Sequence, residues 1–170
     1  MKKNVYFLGI FIVIGLLVSC TSNLKSSTSP SFHKTNTDKI AVVVTYHHLL
    51  PQRMVEDEFI RELVNKGYQV PARSDINTIL EELQLQYNDI TDKDASRIGK
   101  MLNVQAILVV SITSYDERLP DLTLGARLIG IEKSDVLWIG SINAGLWGID
   151  NSVIRTMANR LAETVPARSR

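Results

Sequence analysis

The chain has 170 residues, 22% of them charged, and its 19 Lys and Arg against 18 Asp and Glu leave a net charge of +1. That balance offers no basic excess of the kind a nucleic-acid backbone demands. The single cysteine excludes a disulfide framework, and a chain of this length can bury roughly 70% of its unfolded surface without one.

The first element is Met1-Lys2-Lys3 followed by an unbroken apolar run from Val5 to Val18. A basic start and an apolar core shorter than the roughly 20 residues of a spanning helix describe a secretory signal peptide. Its end, Leu17-Val18-Ser19-Cys20, resembles a bacterial lipobox. That resemblance implies cleavage between Ser19 and Cys20, with a covalent lipid on Cys20 as the membrane anchor. Multiple acylation gives lasting attachment where a single chain does not. The absence of Asp directly after Cys20 points to the outer membrane, on its periplasmic face. No second apolar stretch of spanning length follows Cys20.

From Thr21 to Asp38 the composition turns to Ser, Thr, Asn and Lys with few apolar residues. Such a segment buries too little to fold and predicts a flexible tether with a root-mean-square reach of roughly 20 to 25 Å. The predicted organisation is a signal peptide over 1–19, the lipidated cysteine and tether over 20–38, one domain over 39–165 and a basic tail over 166–170.

Lys39 to Thr45 is a short β-branched run, the mark of a strand buried on both faces. A helix is predicted from Arg53 to Lys66, with Val55, Phe59, Ile60, Leu63 and Val64 inward and Glu56, Asp57, Arg61 and Glu62 outward. Gly67 suits its left-handed exit. Tyr68 to Ala72 reads as a second strand, near an edge because of Pro71. Ser74 reads as the N-cap of a helix from Asp75 to about Gln86, with Ile76, Ile79, Leu80 and Leu83 inward. Thr91-Asp92-Lys93-Asp94 is a capping box that opens a third helix around Ala95, Ile98 and Leu102, with Asn103 at its exit.

Ala106 to Thr113 is the most apolar strand after Cys20 and is placed at the sheet centre. Leu122 to Ile131 and Val136 to Ala144 read as a hairpin across Glu132-Lys133-Ser134-Asp135. Asp150 or Asn151 caps a last helix with Val153, Ile154, Met157, Ala158 and Leu161 inward. The order β-α-β-α-α-β-β-β-α predicts a single α/β domain, a mixed five-stranded sheet with about four helices packed on it.

Between Lys39 and Leu161 the sequence resembles the CsgG-like family of bacterial envelope lipoproteins. The likeness is carried by Ile40-Ala41-Val42-Val43-Val44, by Lys66-Gly67-Tyr68-Gln69-Val70 with Arg73 after it, and by Ile79-Leu80-Glu81-Glu82-Leu83. It continues through Ala95 to Leu102 into Ala106-Ile107-Leu108, and closes on Ala126-Arg127-Leu128 and Val136-Leu137-Trp138. The chain departs from the family at Ala72, where an acidic residue is usual, and at Asn103 and Val110, where glycines are usual. The resemblance implies a non-enzymatic periplasmic lipoprotein that binds other envelope proteins, within an export or secretion assembly and with a homo-oligomeric ring as one form. Its alternative within the family is an LpoB-like activator of a cell-wall synthase. The curli channel subunit spans the membrane with two hairpins. The connections Ser114–Asp121 and Glu132–Ser134 are too short for strands of about 9 to 11 residues, so no pore is expected from this chain alone.

Candidate chemistry is sparse, and neither a catalytic group nor a metal or other cofactor site is expected. His47 and His48 are adjacent, hence on opposite faces of an extended chain, without a third ligand. Gly140, Gly145 and Gly148 lack the Lys-Ser/Thr of a phosphate loop and read as turn residues. Glu81-Glu82 reads as solvated charge on a helix. The cluster Asp116, Glu117, Arg118 with Asp121 reads as solvated loop charge or a docking site for a partner. Trp138 is assigned to the core. Trp147, between Gly145 and Gly148, is a candidate partner contact or a packing residue.

Overall fold

The computed structural model describes residues 23–45, 52–87, 90–116, 121–145 and 150–168. In chain order these form β1 (Asn23–Thr28), a 3-10 turn (Phe32–Lys34), β2 (Ile40–Val44), α1 (Gln52–Asn65), α2 (Arg73–Glu82), α3 (Asp92–Met101), β3 (Ala106–Asp116), β4 (Asp121–Gly130), β5 (Val136–Gly145) and α4 (Asn151–Glu163). The strands make one open five-stranded sheet in the order β1-β5-β4-β3-β2. Only β2 and β3 run parallel, and every other pair is antiparallel, so the sheet is mixed as expected.

Period-two alternation sorts the strands onto two cores. Ile40, Val42, Val44, Leu108, Leu124 and Leu128 face α1 and α4, while Ala41, Val43, Ile107, Val109 and Ile129 face α2 and α3. All five residues of β2 are therefore buried although β2 is an edge strand. A register shift between Leu128 and Ile129 pairs Ile129 with Val136 and Leu128 with Trp138. The extra residue lets consecutive Leu137 and Trp138 both enter the first core.

The helices end as their sequences dictate. Gly67 sits at φ +88° and Asn103 at φ 51°, both left-handed exits. Thr91 and Asp94 cap each other reciprocally at α3, and Asp150 accepts from the backbone N–H groups of Ser152 and Val153 at α4. Ser74 is not a cap: α2 starts at Arg73 after Ala72, which offers no side-chain oxygen, and Ser74 Oγ donates to Asp75 instead.

The segment expected to be a tether differs most. Asn23–Thr28 pairs antiparallel with β5 over its whole length, Ser29 N–H donates to Leu137 O at 2.8 Å, and Phe32 is 2% exposed in the first core. Composition undervalues such a strand because its stability comes from main-chain pairing and two apolar anchors, Leu24 and Phe32. The predicted strand Tyr68–Ala72 shrinks to a single parallel bridge between Lys39 and Gln69, and β1 supplies the fifth strand of the sheet. The middle place falls to β4, with β3 one step toward the edge. Gly140 lies inside β5, not in a turn: a Cβ there would sit 2.6 Å from the Trp138 indole and 2.9 Å from Leu161.

Candidate interaction surface

Register brings three chain segments to one end of the sheet. Asp116 pairs with Asp121, Asp121 with Gly145, and Asn143 with Asn23. The start of β1, the β3–β4 connection and the exit from β5 therefore share that end. Ser19 and Cys20, Glu117 and Arg118, and Trp147 lie outside the described residues, as do His47 and His48. The structure places the backbone of Asp116 at this end, three residues of chain beyond Cys20 at Asn23. Trp138, by contrast, is 1% exposed and belongs to the core.

Among the described residues, helices cover only half of the second sheet face. The α2 and α3 layer packs on β2, β3 and the far end of β4. Beyond it lies an open groove of about 590 Å³ lined by Lys25, Ser27, Ser111, Gly125, Ile139 and Ser141 together with Arg127. Lys25, Ser141, Gly125 and Ser111 stand side by side across four strands, and Ser27, Ile139 and Arg127 form the next row. Small side chains make the floor, and Ile139, 49% exposed, is its apolar centre. Arg127 is held at the rim by Asp92 at 3.1 Å. A second cavity of about 520 Å³ opens at the other end of the sheet, where Lys34, Lys100 and Lys133 share its wall with Glu132 and Asp135.

Charge inside the fold serves architecture. Glu56, read from the sequence as outward, is buried; its carboxylate accepts from Arg73 Nε at 2.8 Å, while Arg73 Nη2 reaches Asp57 at 3.1 Å. Arg73 thereby ties α2 to α1 across the β2 edge. Burial pushes the Glu56 carboxyl above its ordinary range, with Arg73 opposing the shift, and the bond to Glu56 raises Arg73. Buried Glu58 pairs with Arg61 of its own helix and with Arg155 of α4 at 3.5 Å. Burial also lifts the Tyr68 hydroxyl to about 12, where it donates to Pro166 O at 3.0 Å. Val64, placed inward by the helical stripe, is 54% exposed. The outward reading of Glu56 failed because helical phase shows which side faces the sheet, not that a distant arginine folds back to meet it.

Among the described residues no group of three or more His, Cys, Asp or Glu could hold a metal ion, and no helix is long and apolar enough to cross a membrane. Among the described residues the two buried carboxylates, Glu56 and Glu58, have arginine partners, and the surface presents an open sheet face, acidic helix flanks and one sheet end.

A family described as the curli production assembly/transport component CsgG matches residues 11–137. Among solved structures, a PelC dodecamer from Paraburkholderia phytofirmans shares 13% identity, with 87% of this chain and all of that one covered at a TM-score of 0.56. A lipoprotein from Neisseria meningitidis shares 16% identity over 75% of this chain and 99% of its own, TM-score 0.53. The LpoB C-terminal domain from Salmonella enterica shares 15% identity over 66% and 84%, TM-score 0.50. At these identities the likeness is one of fold. No curated protein matches by sequence.

Proposed function

The chain belongs to the CsgG family, and from that premise we propose that it is a lipid-anchored, non-enzymatic component of an envelope export or secretion assembly. Cys20 carries the anchor, the domain sits on the periplasmic face of the outer membrane, and other envelope proteins are its partners. The observation that carries this reading is the full coverage of the PelC chain, a dodecamer, by this fold. That likeness of fold, along the whole length of a chain that forms a dodecamer, supports an assembly of copies of this protein.

Likeness to the LpoB C-terminal domain supports a second reading, an activator of a cell-wall synthase. Oligomeric state separates the two. Full-length protein extracted in detergent and measured by native mass spectrometry is expected to show a closed ring of many copies; a monomer at every concentration refutes the assembly reading and favours the second. Anchoring has its own test. Cys20→Ser protein is expected to lose acyl labelling and membrane fractionation, and retention of both would refute Cys20 as the attachment point.

A further inference from the structure

Among the described residues, helices cover one sheet face across its width and the other for half of it. On the first face α1 and α4 pack against residues of β2, β3, β4 and β5. On the second, α2 and α3 bury Ala41, Val43, Ile107, Val109, Ile129 and Ile131 and stop there. Antiparallel strands can leave one face to solvent, but here that face holds a groove over β1, β5 and the near part of β4 whose centre, Ile139, is 49% exposed, and among the described residues no helix covers it. We propose that the outer face of α2 from a second copy of the chain fills this groove. The inference rests on the assembly reading above and names the surfaces that build it.

Three features select this occupant. Depth is the first: Ser111, Gly125 and Ser141 floor the groove, so a helix can approach closely, and Ile139 at its centre gives apolar contact. Charge is the second. Arg127 is engaged by Asp92, but Lys25 has no ion-pair partner among the described residues and is exposed. The outer face of α2 exposes Asp75, Glu81 and Glu82, and its one cation, Arg73, is committed to Glu56 and Asp57. Placement is the third. Lys25 belongs to the strand at one edge of the sheet, while Ile76, Ile79 and Leu80 of α2 share a core with Ala41 and Val43 of the strand at the other edge. The two patches are different surfaces on opposite flanks, so the contact is head-to-tail, the kind that repeats around a ring when its rotation closes.

A charge swap tests the pairing. Full-length detergent-extracted variants would be compared by native mass spectrometry and light scattering over a dilution series, with circular dichroism to verify that each is folded. Lys25→Glu, and separately Glu81→Lys with Glu82→Lys, should each raise the concentration at half-assembly by about tenfold or more, since like charges then face each other. Ile139→Asp should leave monomers. Combining Lys25→Glu with both lysine substitutions should restore assembly toward the wild-type level. Charge variants that assemble as wild type does, or losses that the combined variant fails to restore, would overturn the pairing while leaving the assembly reading in place. A wild-type protein that stays monomeric throughout would overturn both.

Discussion

Replacing Phe32 by alanine tests whether residues 23–34 are part of the fold. The ring is 2% exposed within the α1 and α4 core, and it is held by a turn whose bonds run from Thr35 N–H to Phe32 O at 3.2 Å and from Ser29 N–H to Leu137 O at 2.8 Å. Truncating a fully buried phenylalanine costs about 3–5 kcal/mol through lost transfer energy and the cavity left behind. Phe32 is on an N-terminal flank that can detach while the remaining core persists, so the cost is capped by what docking of that flank contributes. The expected loss is therefore near the lower bound, about 3 kcal/mol, or a fall in Tm of roughly 6 to 12 °C for a domain of this size. Urea unfolding followed by far-UV circular dichroism measures the first quantity. Hydrogen exchange measures the second consequence: amides of Leu24 to Thr28 that pair with β5 should be protected in the wild type and lose that protection in Phe32→Ala before β3 and β4 do. A loss below about 0.5 kcal/mol, typical of an exposed site, together with unprotected β1 amides in the wild type, would refute the paired strand and restore the tether.

Arg73→Met removes the partner of buried Glu56, and an uncompensated buried charge costs about 3–5 kcal/mol, reduced here because Arg73 is itself partly exposed. The folded Glu56 carboxyl lies above its ordinary value of 4.5, so its ionised form costs stability, a cost absent below the unfolded value and growing as pH rises through the folded one. Without Arg73 that cost increases, so the urea midpoints of the two proteins should diverge near neutral pH and converge below about pH 4.5; an equal gap at pH 4 and pH 7.5 would contradict the linkage. Gly140→Ala places a methyl against the Trp138 indole, 2.6 Å from its nearest atom, and against Leu161. Overpacking of this kind costs about 1–3 kcal/mol, and the near-ultraviolet circular dichroism of Trp138 should change with it. An unchanged spectrum and midpoint would mean that β5 and α4 are packed less tightly than described.

What could be read from the sequence followed the physics of each signal. The β2 run, the Thr91 capping box, the Gly67 and Asn103 exits and the Asp150 cap are local, and each has the form its residues imply. The larger misses come from partners distant in sequence. β1 carries one half-buried apolar residue, Leu24, and becomes a strand because β5 offers a free edge more than a hundred residues later. Glu56 turns inward because Arg73, beyond the end of its helix, crosses the β2 edge to meet it. Tyr68 to Ala72 has strand composition yet makes one bridge, since only Lys39 continues β2 far enough to receive it. The open groove was invisible for the same reason: it is assembled from short pieces of β1, β3, β4 and β5 that meet only in the folded sheet.

The position of β1 also changes what an anchor at Cys20 would do. A tether through residue 38 would let the domain meet partners at any angle and at some distance from the bilayer. With pairing already begun at Asn23, the link is Thr21 and Ser22, a span of at most about 11 Å. A lipid on Cys20 would then hold the sheet end shared by Asn23, Asp121 and Gly145 nearest the membrane. The strands would rise from that end, and the two flanks of the sheet, the open half-layer beside β1 and the acidic face of α2 beside β2, would both face sideways. Copies confined to one leaflet in that orientation present to each other the surfaces argued above to be complementary, at the raised effective concentration that confinement brings. An anchor at Cys20 and the proposed head-to-tail contact would thus make one device: the first would remove the orientations in which the second could not form.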